Sequence, residues 1–385
     1  MLNFEFYNPT KIIFGKGTVP QIANNIPKTA KILVLYGGSS AEKTGTLKEV
    51  RTALTDHQFE EFGGIEANPT FETLMRAVDV VRSNNIDYLL AVGGGSVVDG
   101  TKFVAAAADF EGDAWDILKT HGQNITSALP IGVVLTVPAT GSEMNSFSVI
   151  TKASTSEKLG LSSPLVFPKF SVLDPTKAYT LSEKQIANGV ADSFVHILEQ
   201  YLTYPSEALA QDRFSEGLLV SLIDIGPRIV KDRENYDLQS NLMWIATLAL
   251  NGLIGAGVPQ DWSTHMIGHE LTARYHIDHA RTLVSILPAV LRVRKESKRL
   301  KLLQFAERVW GIHEGTDDER IEAAIEKTAA FFEALGIPAS LRSYEIDEAG
   351  VDAIITQLEQ HNMVALGEKQ DVTLDVSRKI LVESL

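Results

Sequence analysis

The stretch STHMIGHELTARYHIDHART, residues 263–282, holds four of the chain's nine histidines: His265, His269, His276 and His279. Imidazole is the commonest metal ligand and the side chain best placed to carry protons near neutral pH. His265 and His269 stand four apart, which puts both on one face of a helix. A second pair with that spacing, Asp192 and His196, lies in GVADSFVHILEQ (189–200), where apolar residues recur with helical period. One carboxylate with three imidazoles is a donor set that suits Fe2+ or Zn2+ and not Ca2+. Spacing leaves open which three of the four histidines take part, and an Asp–His pair on a helix surface has the same spacing. His276, beside Tyr275, reads as a solvated loop residue. HEL at 269–271 begins the H-E-x-x-H pattern of a zinc protease, but Ala273 stands where its second histidine is required, which excludes that chemistry.

A second kind of chemistry is suggested by three glycine- and hydroxyl-rich turns. GGGSVVDG (93–100) follows an apolar run and opens a helix-period segment. Glycines there let backbone N–H groups approach an anion, and a helix N-terminus adds positive potential. The dinucleotide spacing G-x-G-x-x-G is incomplete, because Val98 occupies the third glycine position, and tight packing alone also calls for glycine. YGGSS (36–40) ends an earlier apolar run. Its Gly37, Gly38, Ser39 and Ser40 stand where nucleotide folds often place an acid for the ribose 2′-hydroxyl, and small hydroxyl residues leave room for a 2′-phosphate. An ordinary glycine-rich turn has the same composition. TVPATGSE (136–143) adds Thr136, Thr140 and Ser142 at a third strand end.

The elements that position these turns follow from periodicity. KILVLYGG (31–38), IDYLLAV (86–92) and PIGVVLTVPAT (130–140) are short apolar runs that read as buried parallel strands. Between and after them, 69–85 and 97–108 read as helices, the first started by Pro69 and Thr70. Such alternation predicts a parallel α/β sheet covered on both faces. From about residue 179 the pattern is helical, over 181–202, 208–230, 238–257, 297–310 and 317–336. Two domains are therefore predicted, α/β over 1–178 and all-helical over 179–385, with Pro175 near the boundary.

Composition narrows the partners. Lys plus Arg number 35 against 49 Asp plus Glu, a net charge of −14, which argues against nucleic-acid binding. There is no cysteine, so disulfides, thiolate catalysis and Cys-held metals are excluded. The longest nearly apolar stretch, 245–258, is interrupted by Thr, Asn and three glycines and is too short for a membrane span. The first residues lack a basic segment followed by an apolar run, so a soluble cytoplasmic protein is expected.

Taken together, GGGSVVDG, ATGSE and the order Asp192-x3-His196 … His265-x3-His269-x9-His279 resemble the iron-containing (group III) alcohol dehydrogenases. The branch most similar is that of NADPH-dependent aldehyde reductases and butanol dehydrogenases. The likeness runs from FGKG (14–17) through 257–280 to VTLDVSR (372–378). It implies a Rossmann-like α/β domain followed by a helical domain, the dehydroquinate synthase-like architecture, with the active site in the cleft between them. It also implies a divalent metal, Fe2+ or Zn2+, on Asp192, His196, His265 and His279, with His269 a proton relay and not a ligand. Gly94, Gly95 and Ser96 match the pyrophosphate loop, with Asp99 behind it. Thr136, Thr140 and Ser142 match the loop around the nicotinamide and ribose, and Lys158 a lysine near the cofactor. Many members carry Asp where this chain has Gly37–Ser40 and tend to use NAD, so the substitution points to NADP(H). Ala139 departs from the usual GTGSE. The implied reaction is reversible reduction of aldehydes to primary alcohols with NADPH, in a homodimer, with Asn145 and Val149 near the substrate. An NAD-dependent glycerol dehydrogenase-like enzyme of the same fold is the nearest alternative. A dehydroquinate synthase-like lyase would need extra basic residues that are not concentrated around the metal motif. A metal-dependent hydrolase would have no use for the nucleotide loops.

Overall fold

The computed structural model describes residues 1–155 and 157–385. Among the described residues the strands run as β1 (Lys11–Phe14), β2 (Lys31–Tyr36), β3 (Gln58–Phe62), β4 (Tyr88–Gly94), β5 (Ile131–Val137), β6 (Phe147–Lys152), β7 (Glu157–Ser162), β8 (Phe170–Leu173), β9 (Ala365–Leu366) and β10 (Val372–Thr373). The helices of the first part are α1 (Ser40–Lys43), α2 (Thr46–Ala53), α3 (Phe71–Asn84), α4 (Gly95–Ala107) and α5 (Trp115–Lys119). Those that follow are α6 (Glu183–Tyr201), α7 (Leu209–Lys231), α8 (Tyr236–Ala249), α9 (Ser263–Tyr275), α10 (His279–Val293), α11 (Lys295–Arg308), α12 (Asp317–Ala334), α13 (Glu348–Gln360) and α14 (Leu374–Glu383).

The chain forms two compact units. One comprises Tyr7–Leu181 with Arg233–Thr247, the other Met1–Phe6, Ser182–Asp232 and Leu248–Leu385. The first is built on a six-stranded sheet in the order β1-β8-β5-β4-β2-β3, parallel throughout. Its central strands β2, β4 and β5 are apolar through their buried middles because both faces are covered there, so they show no alternation. Ile32, Val34, Leu90, Val92, Val134 and Val172 form one buried face with Val19, Ile22, Leu47 and Val50. On α3, Leu74, Ala77, Val78 and Val81 are buried, and Thr70 caps the helix by accepting from the Thr73 N–H. Asn85, in the left-handed conformation at φ 50°, closes it. The sheet has β3 on one side of β2 and β4 on the other. The chain therefore reverses direction across the sheet between β2 and β4, and the crevice at their carboxyl ends is where such sheets bind ligands. An antiparallel hairpin, β6–β7, lies outside this sheet.

In the second unit α6 is the central helix. Ser182 and Gln185 form a capping box at its start, and its residues from Val190 to Tyr201 are all buried. A separate core joins Ile267 and Leu271 of α9, Ile286 and Val290 of α10, Ile354 and Leu358 of α13, and Ile380 and Leu381 of α14. Two details differ from the helical reading of this part. The helix expected over 238–257 stops at Ala249, because Gly252 and Gly257 take left-handed φ values of 89° and 71°. A two-residue antiparallel ladder, β9 with β10, interrupts an otherwise helical unit. Among the described residues no helix is long and apolar enough to cross a membrane.

Candidate metal centre and nucleotide loops

Helix periodicity brings Asp192 and His196 to one face of α6, and the packing of α6 with α9 and α10 brings the histidines to them. Ligand atoms of Asp192, His265 and His279 lie within 4.8 Å of one another. His265 is in the first turn of α9, and His279 is the first residue of α10. His196 stands beside this group, its ring centroid 4.4 Å from that of His265. Its Nδ1 donates to the Asp192 carbonyl at 2.8 Å, which leaves Nε2 to act as a lone-pair nitrogen. Burial holds the His196 pKa below the usual imidazole value, so the ring stays neutral, the form that ligates a metal. Asp192 is 4 % exposed, and its Oδ1 accepts no hydrogen bond. Leaving a buried carboxylate oxygen unpaired is costly, and a cation removes the cost. These residues fit a divalent ion of the Fe2+ or Zn2+ type.

His269, one turn beyond His265, has its ring 4.9 Å from that of His279 and 6.2 Å from that of His265. It borders the group without joining the set of converging ligand atoms. His276 is exposed and ends α9 at φ 55°. Two neighbours of the cluster went unread in the sequence. Trp262, in left-handed backbone at φ 63°, places its ring 5.2 Å from that of His265 and 6.0 Å from that of His196. Glu199 is buried, and one of its oxygens meets His265 Nδ1. With no cation beside it, burial, reinforced by the charge of Asp261, pushes the Glu199 carboxyl up to about 8, and a divalent ion on His265 would draw it back to the ionised form. A sequence signal for Glu199 exists: positions 192, 196 and 199 follow i, i+4, i+7 on α6.

In the sheet unit the three turns meet at adjacent strand ends. Gly37 and Gly38 follow β2, and Ser39 and Ser40 open the short α1 with exposed side chains. Gly94 caps α4, whose N-terminus has no side-chain cap, so its first N–H groups face outward from Gly95 and Ser96. The glycines also serve packing. A Cβ on Gly93 would lie 2.5 Å from Val97, one on Gly94 2.8 Å from Val137, and one on Gly95 2.4 Å from Thr140 Oγ1. The last contact shows that Thr140 sits directly against the glycine turn. Thr136 is the penultimate residue of β5, partly exposed at the same edge. Ser96 Oγ accepts from the Asn68 N–H at 3.4 Å, and Lys158 Nζ donates to Asn68 Oδ1 at 3.1 Å, which brings Lys158 to this turn.

Asp99 and Ser142 have internal work here. The Ser142 hydroxyl donates to Asp99 Oδ1, and the Val149 N–H donates to Asp99 Oδ2 at 3.0 Å. Lys102, fully buried and missed in the sequence, donates to Ser142 Oγ at 2.9 Å, Asn145 Oδ1 at 2.8 Å and the Phe147 carbonyl at 2.7 Å. The network ties α4 to the 138–147 loop. Burial pushes the Lys102 ammonium down to about 8, against the attraction of Asp99 and Glu143.

Similarity to known proteins agrees with both halves of this geometry. The pattern of the iron-containing alcohol dehydrogenases matches residues 9–175, and that of the C-terminal part of the same family matches residues 186–376. The chain belongs to the iron-containing alcohol dehydrogenase family. It is 55% identical over 382 residues, 99% of each chain, to the NADPH-dependent aldehyde reductase YqhD of Escherichia coli K12. The crystal structure of that E. coli protein superposes with a TM-score of 0.99 at 54% identity, covering 100% of this chain and 99% of the other. A probable NADH-dependent butanol dehydrogenase of Bacillus subtilis is 41% identical over 362 residues, 92% of each chain.

Proposed function

We infer that the protein is a metal-dependent oxidoreductase that reversibly reduces aldehydes to primary alcohols with NADPH. The observation that carries this reading is the convergence of buried Asp192 and His265 with half-buried His279 in a chain of this family. Asp192, His196, His265 and His279 would hold one Fe2+ or Zn2+ ion. When bound, that ion supplies a Lewis acid for the substrate's carbonyl oxygen, and the nicotinamide supplies the hydride. The rest is the work of the chain's own side chains. Gly94, Gly95 and Ser96 offer the uncapped N-terminus of α4 to the pyrophosphate. Gly38, where a Cβ would meet nothing within 4 Å, leaves space at the end of β2, and Ser39 and Ser40 offer hydroxyls to a 2′-phosphate, which favours NADP(H). Thr136 and Thr140 border the same crevice, and Lys158 contributes positive charge. Lys102, Asp99 and Ser142 hold the loop that carries Thr140. His269, beside His279, is the group from which a proton reaches the product oxygen.

A homodimer goes with this reading. β1 is an edge strand, and Phe14 on it, 40% exposed, stacks edge-on with the 39% exposed Trp244. An apolar edge of that kind favours pairing with a second copy. Light scattering at micromolar concentration checks it, twice the 42.1 kDa chain mass being expected.

The decisive experiment follows NADPH oxidation with butanal before chelation, after it, and after adding back Fe2+ or Zn2+. Loss on chelation and recovery with metal is expected. Unchanged activity after complete metal removal, or no NADPH consumption with any short aldehyde, would overturn the assignment.

A further inference from the structure

α9 begins without a cap of its own. Its N-cap residue is Trp262, which makes no side-chain cap bond. The work passes to two carboxylates from outside the helix. Asp261 Oδ1 accepts the Ser263 N–H at 3.1 Å, and Glu199 Oε1, from α6, accepts the Thr264 N–H at 2.7 Å. The other oxygen of Glu199 meets Nδ1 of His265, the next residue. One carboxylate thus secures both the first turn of α9 and the imidazole that the turn carries. The Glu199 side chain is 3% exposed and that of His265 6%. Neither can relax into solvent.

Glu199 is itself held. The Asp261 N–H donates to the Glu199 carbonyl at 2.9 Å. Asp261 Oδ2 pairs at 2.8 Å with Lys298 Nζ, a side chain only 1% exposed. Lys298 also reaches Glu368 at 3.1 Å and the Leu202 carbonyl at 2.6 Å. A cavity of about 10 Å³ lies among Glu199, Asp261, Thr264 and Lys298. The chain of groups is buried from His265 to Glu368, where isolated charges would be expensive.

We propose that Glu199 is the positioning residue of the metal centre: its carboxylate accepts a hydrogen bond from Nδ1–H of His265, so that Nε2 is the ligating nitrogen, and it fixes the ring's orientation. This deepens the metal reading given above and rests on it. A ligating histidine whose other nitrogen donates to a carboxylate is a more basic and better oriented ligand, and losing that partner costs about 10–100-fold in metal affinity.

The test is metal affinity and not turnover. Metal-free wild-type protein, Glu199→Gln and Glu199→Asp are titrated with Zn2+ against a chromophoric chelator, and with Co2+ while its visible absorption bands are recorded. Glu199→Gln keeps the volume but loses the charge, and Zn2+ should bind about 10–100-fold more weakly with shifted Co2+ bands. Glu199→Asp is too short to span Thr264 and His265 together and should lose as much. NADPH binding, followed by fluorescence, should stay unchanged and reports that the fold is intact. Wild-type Zn2+ affinity and wild-type Co2+ bands in folded Glu199→Gln would overturn the proposal. Should the variants not fold, 15N spectra of histidine-labelled wild-type protein with Zn2+ decide it. Nδ1 protonated with Nε2 on the metal supports the assignment, and Nδ1 on the metal overturns it. Failure of the wild-type protein to take up Zn2+ or Co2+ would instead remove the metal reading itself, and this inference with it.

Discussion

Replacing Gly38 by Asp tests the nucleotide-binding half of the site with little disturbance to the fold. An added Cβ meets no atom within 4 Å, the residue is exposed, and its backbone lies outside the left-handed region. Gly37 would be a poorer choice, since a Cβ there comes 3.2 Å from the Ile65 carbonyl. The new carboxylate would stand beside Ser39 and Ser40, the hydroxyls assigned to the 2′-phosphate. Two unit charges about 4 Å apart repel by ~1 kcal/mol in water and ~4 kcal/mol at an effective dielectric constant of 20. An exposed position calls for the lower part of that range, about 2 kcal/mol, or about 30-fold weaker NADPH binding. NADH has a 2′-hydroxyl that can donate to the carboxylate, so its KM should fall or hold. KM values for both nucleotides with butanal, at low salt and at about 0.5 M salt, make the measurement. The NADPH penalty should shrink at high salt because exposed charges are screened. An NADPH KM within about 3-fold of wild type at low salt, in a folded variant, would refute placement of the phosphate at Gly38–Ser40.

Two further substitutions probe the rest of the site. His265→Ala should abolish metal binding and turnover, whereas His269→Ala should retain stoichiometric metal and lose about 10²–10⁴-fold in kcat. Metal content by elemental analysis beside kcat separates the two, and equal metal loss in both variants would contradict the assignment. Lys102 tests the buried network beneath the glycine turn through pH. Its folded-state pKa of about 8 lies below the 10.5 of an unperturbed lysine, so between those values the unfolded chain binds the extra proton and stability rises with pH. Lys102→Met should remove that rise, which amounts to about 3 kcal/mol at most. Urea unfolding of both proteins at pH 8 and pH 10 measures it, and identical pH slopes would show that Lys102 keeps its proton throughout.

Much of the sheet unit was legible because its signals are local. The apolar runs of β2, β4 and β5 and the helical periods of α3 and α4 each follow from 14 residues or fewer. A glycine turn at a strand end can be recognised without knowing what lies across from it. The pairs Asp192–His196 and His265–His269 were likewise visible as spacings on single helices. The early stop of α8 was only partly legible, since Gly252, Gly255 and Gly257 had to be weighed against an apolar period that continues past them. The β9–β10 ladder is too short to leave a pattern at all.

The sequence by itself determined which residue types were present to bind a metal and an anion, and on which local elements they would sit. Only the tertiary structure decided which of them face the same point. Glu199 and His265 are 66 residues apart and Lys102 and Ser142 are 40 apart, so a local pattern can put Glu199 on the same helix face as Asp192 and His196 but cannot signal either contact. Such contacts depend on how one helix is rotated and shifted against another, a choice made by the summed packing of whole apolar faces. The same packing buries Lys102 and Glu199. It thereby turns ordinary polar residues into groups whose charge and hydrogen bonds must be satisfied from within.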